Sequence, residues 1–293
     1  RRRRAVGSAG CLAPPAAAEL AARVLRAECP REKVALTREA FAAVVAAGAS
    51  GGGVGVASAP VRPARPARPV LVPQKEMPGQ RQSGLPLSAF LLHNLASIEL
   101  NAVDLAWDTV VRFSCADTAA AAGAPEPLPP AFFETFAQIA DDEARHLEWC
   151  LDRIEALGHS YGDMPAHDGL WEAAQGTVGD LGARLVVVPM IQEARGLDHG
   201  DRLAARLVGA GDKESAAIVQ RISDEEVPHV KAGVVWFTWL CERTGKDPGA
   251  EFARLAALHA EGILREPFNH ARREQADLPI EWYMSAVEAI GAA

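Results

Sequence analysis

The run Asp141-Asp142-Glu143-Ala144-Arg145-His146 decides the fold. Glu143 and His146 stand three residues apart, so on a helix they project from one face about a turn from each other. That face is otherwise apolar: Phe136, Ile139, Ala140, Cys150 and Ile154 recur at helical spacing around the pair. A carboxylate and an imidazole on such a stripe cost several kcal/mol unless they are charge-paired or bound to a cation. The same spacing returns at Glu226 and His229, on a stripe with Ile222, Gly233, Trp236 and Leu240. Two isolated acids, Glu99 and Glu193, occupy two further apolar helical patterns. In chain order the set reads Glu, Glu-x-x-His, Glu, Glu-x-x-His, the ligand pattern of a carboxylate-bridged dimetal site inside a four-helix bundle.

Working outward, the expected fold is all-α. The first bundle helix is predicted over residues 87–113, with Leu92, Leu95, Glu99, Ala102, Ala106 and Val110 on one face. Pro129 and Pro130 open the second, which ends at Gly158. A long crossover, 159–176, carries Tyr161, His167 and Trp171. The third helix is expected from about 178 to 196, with a turn at Asp198 to Gly200 and a short helix beyond it. The fourth is expected over 212–243 and a last helix over 249–264, before an irregular tail. Before the bundle, residues 16–28 and 37–48 read as two short helices, the second capped by Thr37. Pro-Ala-Arg repeats between Ala59 and Pro73 should run extended, as a tether or as a strap across the bundle. The chain thus divides into an N-terminal leader with short helices (1–58), a proline- and arginine-rich segment (59–85) and the dimetal bundle with a C-terminal helix and tail (86–293).

Composition narrows the function. The 293 residues carry a net charge of −8, which disfavours general nucleic-acid binding, since phosphate contacts need lysine and arginine. A local patch of Arg62, Arg65, Arg68 and Arg81 is the one exception. Five cysteines without C-x-x-C spacing read as free thiols of a reducing compartment. No apolar stretch of about 18 residues predicts a membrane span. A cytoplasmic location is expected, or an organellar one if the acid-free residues 1–18 are the remnant of a transit peptide.

Around the ligands, Asp142 and Glu225 are placed to accept hydrogen bonds from the non-ligating nitrogens of the opposite histidines, which would fix their tautomers. Arg145 and Arg195 are placed to pair with these acids. His93 reads as a core histidine. Pro189 and Pro228 should disturb the ligand helices, and a π-type bulge that opens a metal face is one outcome.

At these residues the chain resembles the ferritin-like superfamily, and more closely its DUF455 branch. The resemblance covers most of residues 60–280. It is carried by Ser-Ile-Glu-Leu-Asn-Ala-Val-Asp-Leu-Ala-Trp-Asp (97–108), Asp-Glu-Ala-Arg-His (142–146), Tyr-Gly-Asp-Met-Pro-Ala-His-Asp-Gly-Leu-Trp (161–171), Glu-Ala-Arg-Gly-Leu-Asp (193–198), Glu-Val-Pro-His-Val (226–230) and Pro-Phe-Asn (267–269). Ser97 stands where histidine is common in the branch, and Glu225 where aspartate is. The resemblance implies a ferritin-like bundle with metal ligands Glu99, Glu143, His146, Glu193, Glu226 and His229. The donor set favours two iron ions, with manganese or a mixed manganese–iron pair as alternatives. The expected activity is a dioxygen-dependent oxidoreductase, a hydroxylase or oxidase acting on a small molecule. Iron oxidation and a non-catalytic, metal-stabilised interaction protein are the alternatives, and a homo-oligomer is compatible with each.

Overall fold

The computed structural model describes residues 16–291. Arg1 to Pro15, most of the stretch read as a transit-peptide remnant, and Cys11 with it, lie outside the described residues. All regular structure within them is helical, apart from an isolated parallel bridge between Leu71 and Ala166. No described helix is long and apolar enough to cross a membrane. Cys29, Cys115, Cys150 and Cys241 are free.

Two helices precede the site-bearing ones, α1 (Ala17–Arg26) and α2 (Pro30–Ala49). Helix α2 starts seven residues earlier than the sequence suggests, with Pro30 at its first position. Thr37 therefore caps nothing. It is buried within the helix, where its Oγ1 accepts the Trp107 indole N–H at 3.0 Å.

The Pro-Ala-Arg segment is a strap. It runs extended over the helices and then forms a 3₁₀ turn (Gln74–Glu76) and the single-turn α3 (Gln80–Ser83). Its backbone bonds to α1 through Ala64 N–H to Leu25 O, and to the crossover through Val72 N–H to Ala166 O and Ala166 N–H to Val70 O. Two of its arginines are neutralised rather than offered to a partner. Arg62 pairs with Asp168, and Arg65 pairs with Asp104 and Asp168. Lys33 of α2 reaches the other Asp104 oxygen at 2.6 Å, both side chains fully buried.

Four long helical stretches carry the site. They are α4 (Leu87–Arg112), α6 (Pro130–Ala156), the run from Leu181 to Gly209, and α10 (Lys213–Thr244). Between α4 and α6 the expected loop includes a short α5 (Ala116–Ala121). The crossover ends in α7 (Gly169–Gln175), which Asp168 immediately precedes. The third stretch is continuous: α8 (Leu181–Leu185), a π-helical segment (Val186–Gln192) and α9 (Glu193–Gly209). Pro189 lies inside the π segment, which accommodates its missing N–H and bulky ring. Pro228 produces no such change, and α10 continues through it.

The predicted turn at Asp198 to Gly200 is absent, because both residues serve packing. Asp198 is buried and accepts from Arg273 and from Asn269 N–H. At Gly200 a Cβ would fall 2.2 Å from Ser223 Oγ, so glycine allows α9 and α10 to touch. The tail is more ordered than its sequence suggests. Helix α11 (Pro248–His259) is followed by α12 (His270–Gln275), whose Arg272 N–H is accepted by the Asn269 side chain, and by α13 (Ile280–Gly291). Phe252 of α11 meets Trp282 of α13 with ring centroids 6.0 Å apart.

Replacing Asp104 by alanine strips the buried Lys33 ammonium of its charge partner. Removing one member of a buried pair costs about 3–5 kcal/mol, so Asp104→Ala should lower the unfolding free energy by that order in urea melts. An unchanged melt would mean that Lys33 reaches water in solution.

Candidate metal centre

Helix α4 brings Glu99, α6 brings Glu143 and His146, α9 brings Glu193 at its first residue, and α10 brings Glu226 and His229. All six side chains are buried, Glu143 and His146 completely. One ligand atom each from Glu99, Glu143, His146 and Glu226 can be chosen so that all four lie within 4.8 Å of one another. Such a buried Glu/His group can hold a metal ion.

The geometry is two-faced. His146 Nδ1 stands 3.5 Å from Glu99 Oε2, 3.5 Å from Glu143 Oε2 and 3.6 Å from Glu226 Oε1. His229 Nδ1 stands 2.9 Å from Glu143 Oε1 and 3.1 Å from Glu226 Oε2. Glu143 and Glu226 thus each turn one oxygen to each histidine, while Glu99 adjoins the His146 side. Glu193 borders the same cavity as Glu99 and Glu226, and its carboxyl feels the charges of Glu143, Glu226 and His229.

Orphaned polar atoms supply the test of fit. Both Glu143 oxygens and His146 Nδ1 are buried without a hydrogen-bond partner, an arrangement that native cores rarely tolerate. All three belong to the inner face of the cluster. The outer nitrogens are satisfied: His146 Nε2–H donates to Glu225 Oε2 at 2.9 Å, and His229 Nε2–H donates to Asp142 Oδ2 at 3.3 Å. Each histidine is therefore anchored by an acid from the opposite ligand helix with Nδ1 turned to the inner face, where that of His229 meets Glu226 Oε2 at 3.1 Å. Arg145 binds both anchors, Asp142 Oδ1 at 2.8 Å and Glu225 Oε2 at 2.5 Å. Arg195 does not join this group and donates to Asp198, His199 and the Arg265 carbonyl instead.

Electrostatics agree with a site built for cations. Burial, together with the Glu143 carboxylate, raises Glu99 well above the usual range. Burial raises Glu193 as well, reinforced by Glu143 and Glu226. Burial also opposes charge on Glu143, but the two imidazoles outweigh it and hold that carboxyl low. Both imidazoles are disfavoured by burial yet raised well above 6.5 by their carboxylate neighbours. Protons therefore occupy the places cations would take. Cys150 sits nearby as a neutral thiol, raised by burial and by Glu99 and Glu143.

A cavity of about 590 Å³ reaches the centre at Glu99, Glu193 and Glu226, and neither histidine anchor lines it. Its walls include Leu95 and Ile98 of α4, Leu203 of α9 and Val219 and Ile222 of α10. The crossover contributes His167, Gly169 and Leu170. Trp171 turns away and packs in the core with Leu105 and Val188. Tyr161 does not line the cavity, and its hydroxyl lies 3.1 Å from Ser97 Oγ. His93 is a core histidine whose Nε2 accepts Gly162 N–H at 2.9 Å, and burial lowers its pKa to about 4. Sequence reasoning missed Gln192, His199, Ile263 and Arg265 on the cavity wall. Only Gln192 was signalled, by its place beside Glu193.

With this arrangement in view, the chain can be placed by family. It belongs to the family described as "Protein of unknown function (DUF455)", whose model matches residues 26–284. An uncharacterized protein of Haemophilus influenzae (strain ATCC 51907 / DSM 11121 / KW20 / Rd) is 33% identical over 209 residues, 71% of this chain and 70% of its own length. No solved structure matches the chain.

Two outcomes follow from the geometry. Because both imidazoles and two carboxyls hold their protons above the usual ranges, divalent metal must displace protons to bind. Affinity should rise with pH across the neutral range, with proton release on loading. Calorimetry in buffers of different ionisation enthalpy reads the proton count, and a count of zero contradicts the raised values. In Asp142→Ala the His229 ring loses its anchor. Metal affinity should fall about 10- to 100-fold while the helical content is retained. Equal affinity in ferrous titrations would remove Asp142 from the site.

Proposed function

We propose that this chain is a ferritin-like protein that holds two iron ions between α4, α6, α9 and α10 and activates dioxygen to oxidise a small molecule, as a hydroxylase or oxidase. The observation that carries the reading is the pairing of two carboxylates, Glu143 and Glu226, that each face both histidines, with an apolar cavity ending on three of the site's glutamates. Glu99 and His146 would hold one ion, and Glu193 and His229 the other, with Glu143 and Glu226 between them. Four carboxylates, two imidazoles and no thiolate suit iron or manganese better than zinc. Two ferrous ions would supply electrons for the reduction of dioxygen.

The residues around the site have their own parts. Asp142 and Glu225 keep both imidazoles in the tautomer with Nδ1 toward the centre. Leu95, Ile98, Val219 and Ile222 give an organic substrate apolar surface along the approach. The π segment ending at Gln192 sets the direction in which Glu193 enters the site. The size of the cavity favours substrate oxidation over iron storage, which needs only a path for ions. A metal-stabilised interaction protein would have no use for an apolar route to the ligands.

The test is anaerobic loading with ferrous iron followed by mixing with dioxygen. Two iron ions per chain and an oxygen-dependent ferric absorption are expected, with both lost in Glu143→Ala. Absence of an oxygen-dependent change in fully loaded protein would overturn the oxidoreductase reading, and loading of one ion or none would overturn the two-iron site.

A further inference from the structure

The wall of the cavity carries positive charge that the rest of the fold neutralises only in part. Arg195 of α9 and Arg265 of the segment after α11 both line it, with His199 one turn beyond Arg195. Arg202 joins them. Arg195 Nη2 lies 2.6 Å from His199 Nε2, and Arg202 Nη2 lies 2.7 Å from His199 Nδ1. A neutral imidazole offers one acceptor nitrogen, so both guanidinium groups cannot be satisfied by it. The nearby carboxylate, Asp198, is taken up chiefly by the buried Arg273, which donates to both its oxygens at 2.9 and 2.7 Å. Arg195 reaches Asp198 only at 3.2 Å. Among the described residues Arg202 and Arg265 have no ion-pair partner, in a chain whose net charge is −8.

A second feature of the wall points to a ligand. Gln192 is 8% exposed, and its Nε2–H donates to Leu170 O at 3.0 Å, yet its Oε1 is buried with no hydrogen-bond partner. That unmet acceptor takes a polar hydrogen from whatever fills the cavity, a water enclosed beside the ligand or a ligand hydroxyl, and does not by itself select the head group. Much of the remaining wall is aliphatic, formed by Leu95, Ile98, Leu203, Val219 and Ile222.

We propose that the cavity takes an amphipathic acid, its carboxylate or phosphate held at the mouth by Arg195 and Arg265 and its aliphatic body lying along the apolar wall toward Glu99, Glu193 and Glu226. This assignment deepens the oxidoreductase reading and rests on it for the reaction, though not for binding. Guanidinium groups suit either head group, because their planar fork matches both. An aliphatic body fixes which part of the ligand approaches the centre, since the charged end cannot leave the mouth without losing its partners.

Binding separates this assignment from the chemistry, because no turnover is needed. The full chain as isolated, kept anaerobic, is titrated calorimetrically with decanoate, decyl phosphate and decanol below their micelle concentrations. Both acids should bind saturably and decanol about tenfold or more weakly, as expected for a charged hydrogen bond. In Arg265→Gln, an exposed position whose loss leaves no buried group unpaired, acid binding should fall about tenfold and decanol binding should not change. Leu203→Trp, which fills the cavity, should weaken all three. A preference between the two acids identifies the head group and keeps the proposal. Equal binding of decanol and the acids, wild-type acid affinity in Arg265→Gln, or no saturable acid binding overturns it. The oxygen test can succeed or fail independently of each of these results.

Discussion

Four glutamates and two histidines buried together in an apolar helical core are the constraint on which the structure depends. Uncompensated, such a set would cost far more than a domain's whole stability margin of about 5–15 kcal/mol. The fold answers in layers. Inside, each imidazole faces carboxylates through Nδ1, at distances of 2.9 to 3.6 Å. Outside, Asp142 and Glu225 cross between α6 and α10 to hold the other nitrogens, and Arg145 ties the two acids together. What remains unmet, the Glu143 oxygens and His146 Nδ1, is what cations would meet.

The same device recurs away from the centre, where it fixes the outer elements. Asp104 of α4 holds Lys33 of α2 and Arg65 of the strap. Asp108, one turn on, holds Arg184 of α8, whose guanidinium also donates to Thr177. Asp198 of α9 holds Arg273 of α12. Each of these buried acids has a basic partner from a segment distant in sequence, so every pair closes a long loop. Two further consequences shape the cavity. The strap, through Arg62 and Arg65 on Asp168, holds the stretch that presents His167, Gly169 and Leu170. The Asp198–Arg273 pair secures the tail that presents Ile263 and Arg265.

Close approach is managed by small residues at the same places. A Cβ on Gly233 would lie 2.8 Å from Pro189, so α10 has a notch where the π segment passes. Gly196 and Gly200 do the same for α9, against Glu226 and Ser223. The π segment and its notch therefore belong to one adjustment that sets Glu193 facing the other glutamates. The proline that disrupts the helix and the glycine that accommodates it lie on different helices, and neither makes structural sense alone.

Much of this was legible in the chain. The all-helical class, the limits of α4, α6 and α10, and the sharing of one apolar face by Glu143 with His146 and by Glu226 with His229 follow from periodicity of 3.6 residues, which is a local property. The crossing of Asp142 to His229 and of Glu225 to His146 was readable too, because acids adjoining ligands on facing helices have few other directions to take. The misreadings share a cause. Thr37 resembles a cap and Asp198 to Gly200 a turn, since cap and turn signals are local preferences that distant partners override, and the choice between tether and strap for the Pro-Ala-Arg repeats, open in the sequence, fell to such partners too. Trp107, Arg273, Ser223 and Asp104 are those partners, and nothing near these sites in sequence announces them. The periodic pattern thus determined which residues would be buried together. Only tertiary structure decided which oxygens face which nitrogen, which wall is apolar and where the unpaired arginines gather, because those depend on the approach of segments far apart along the chain.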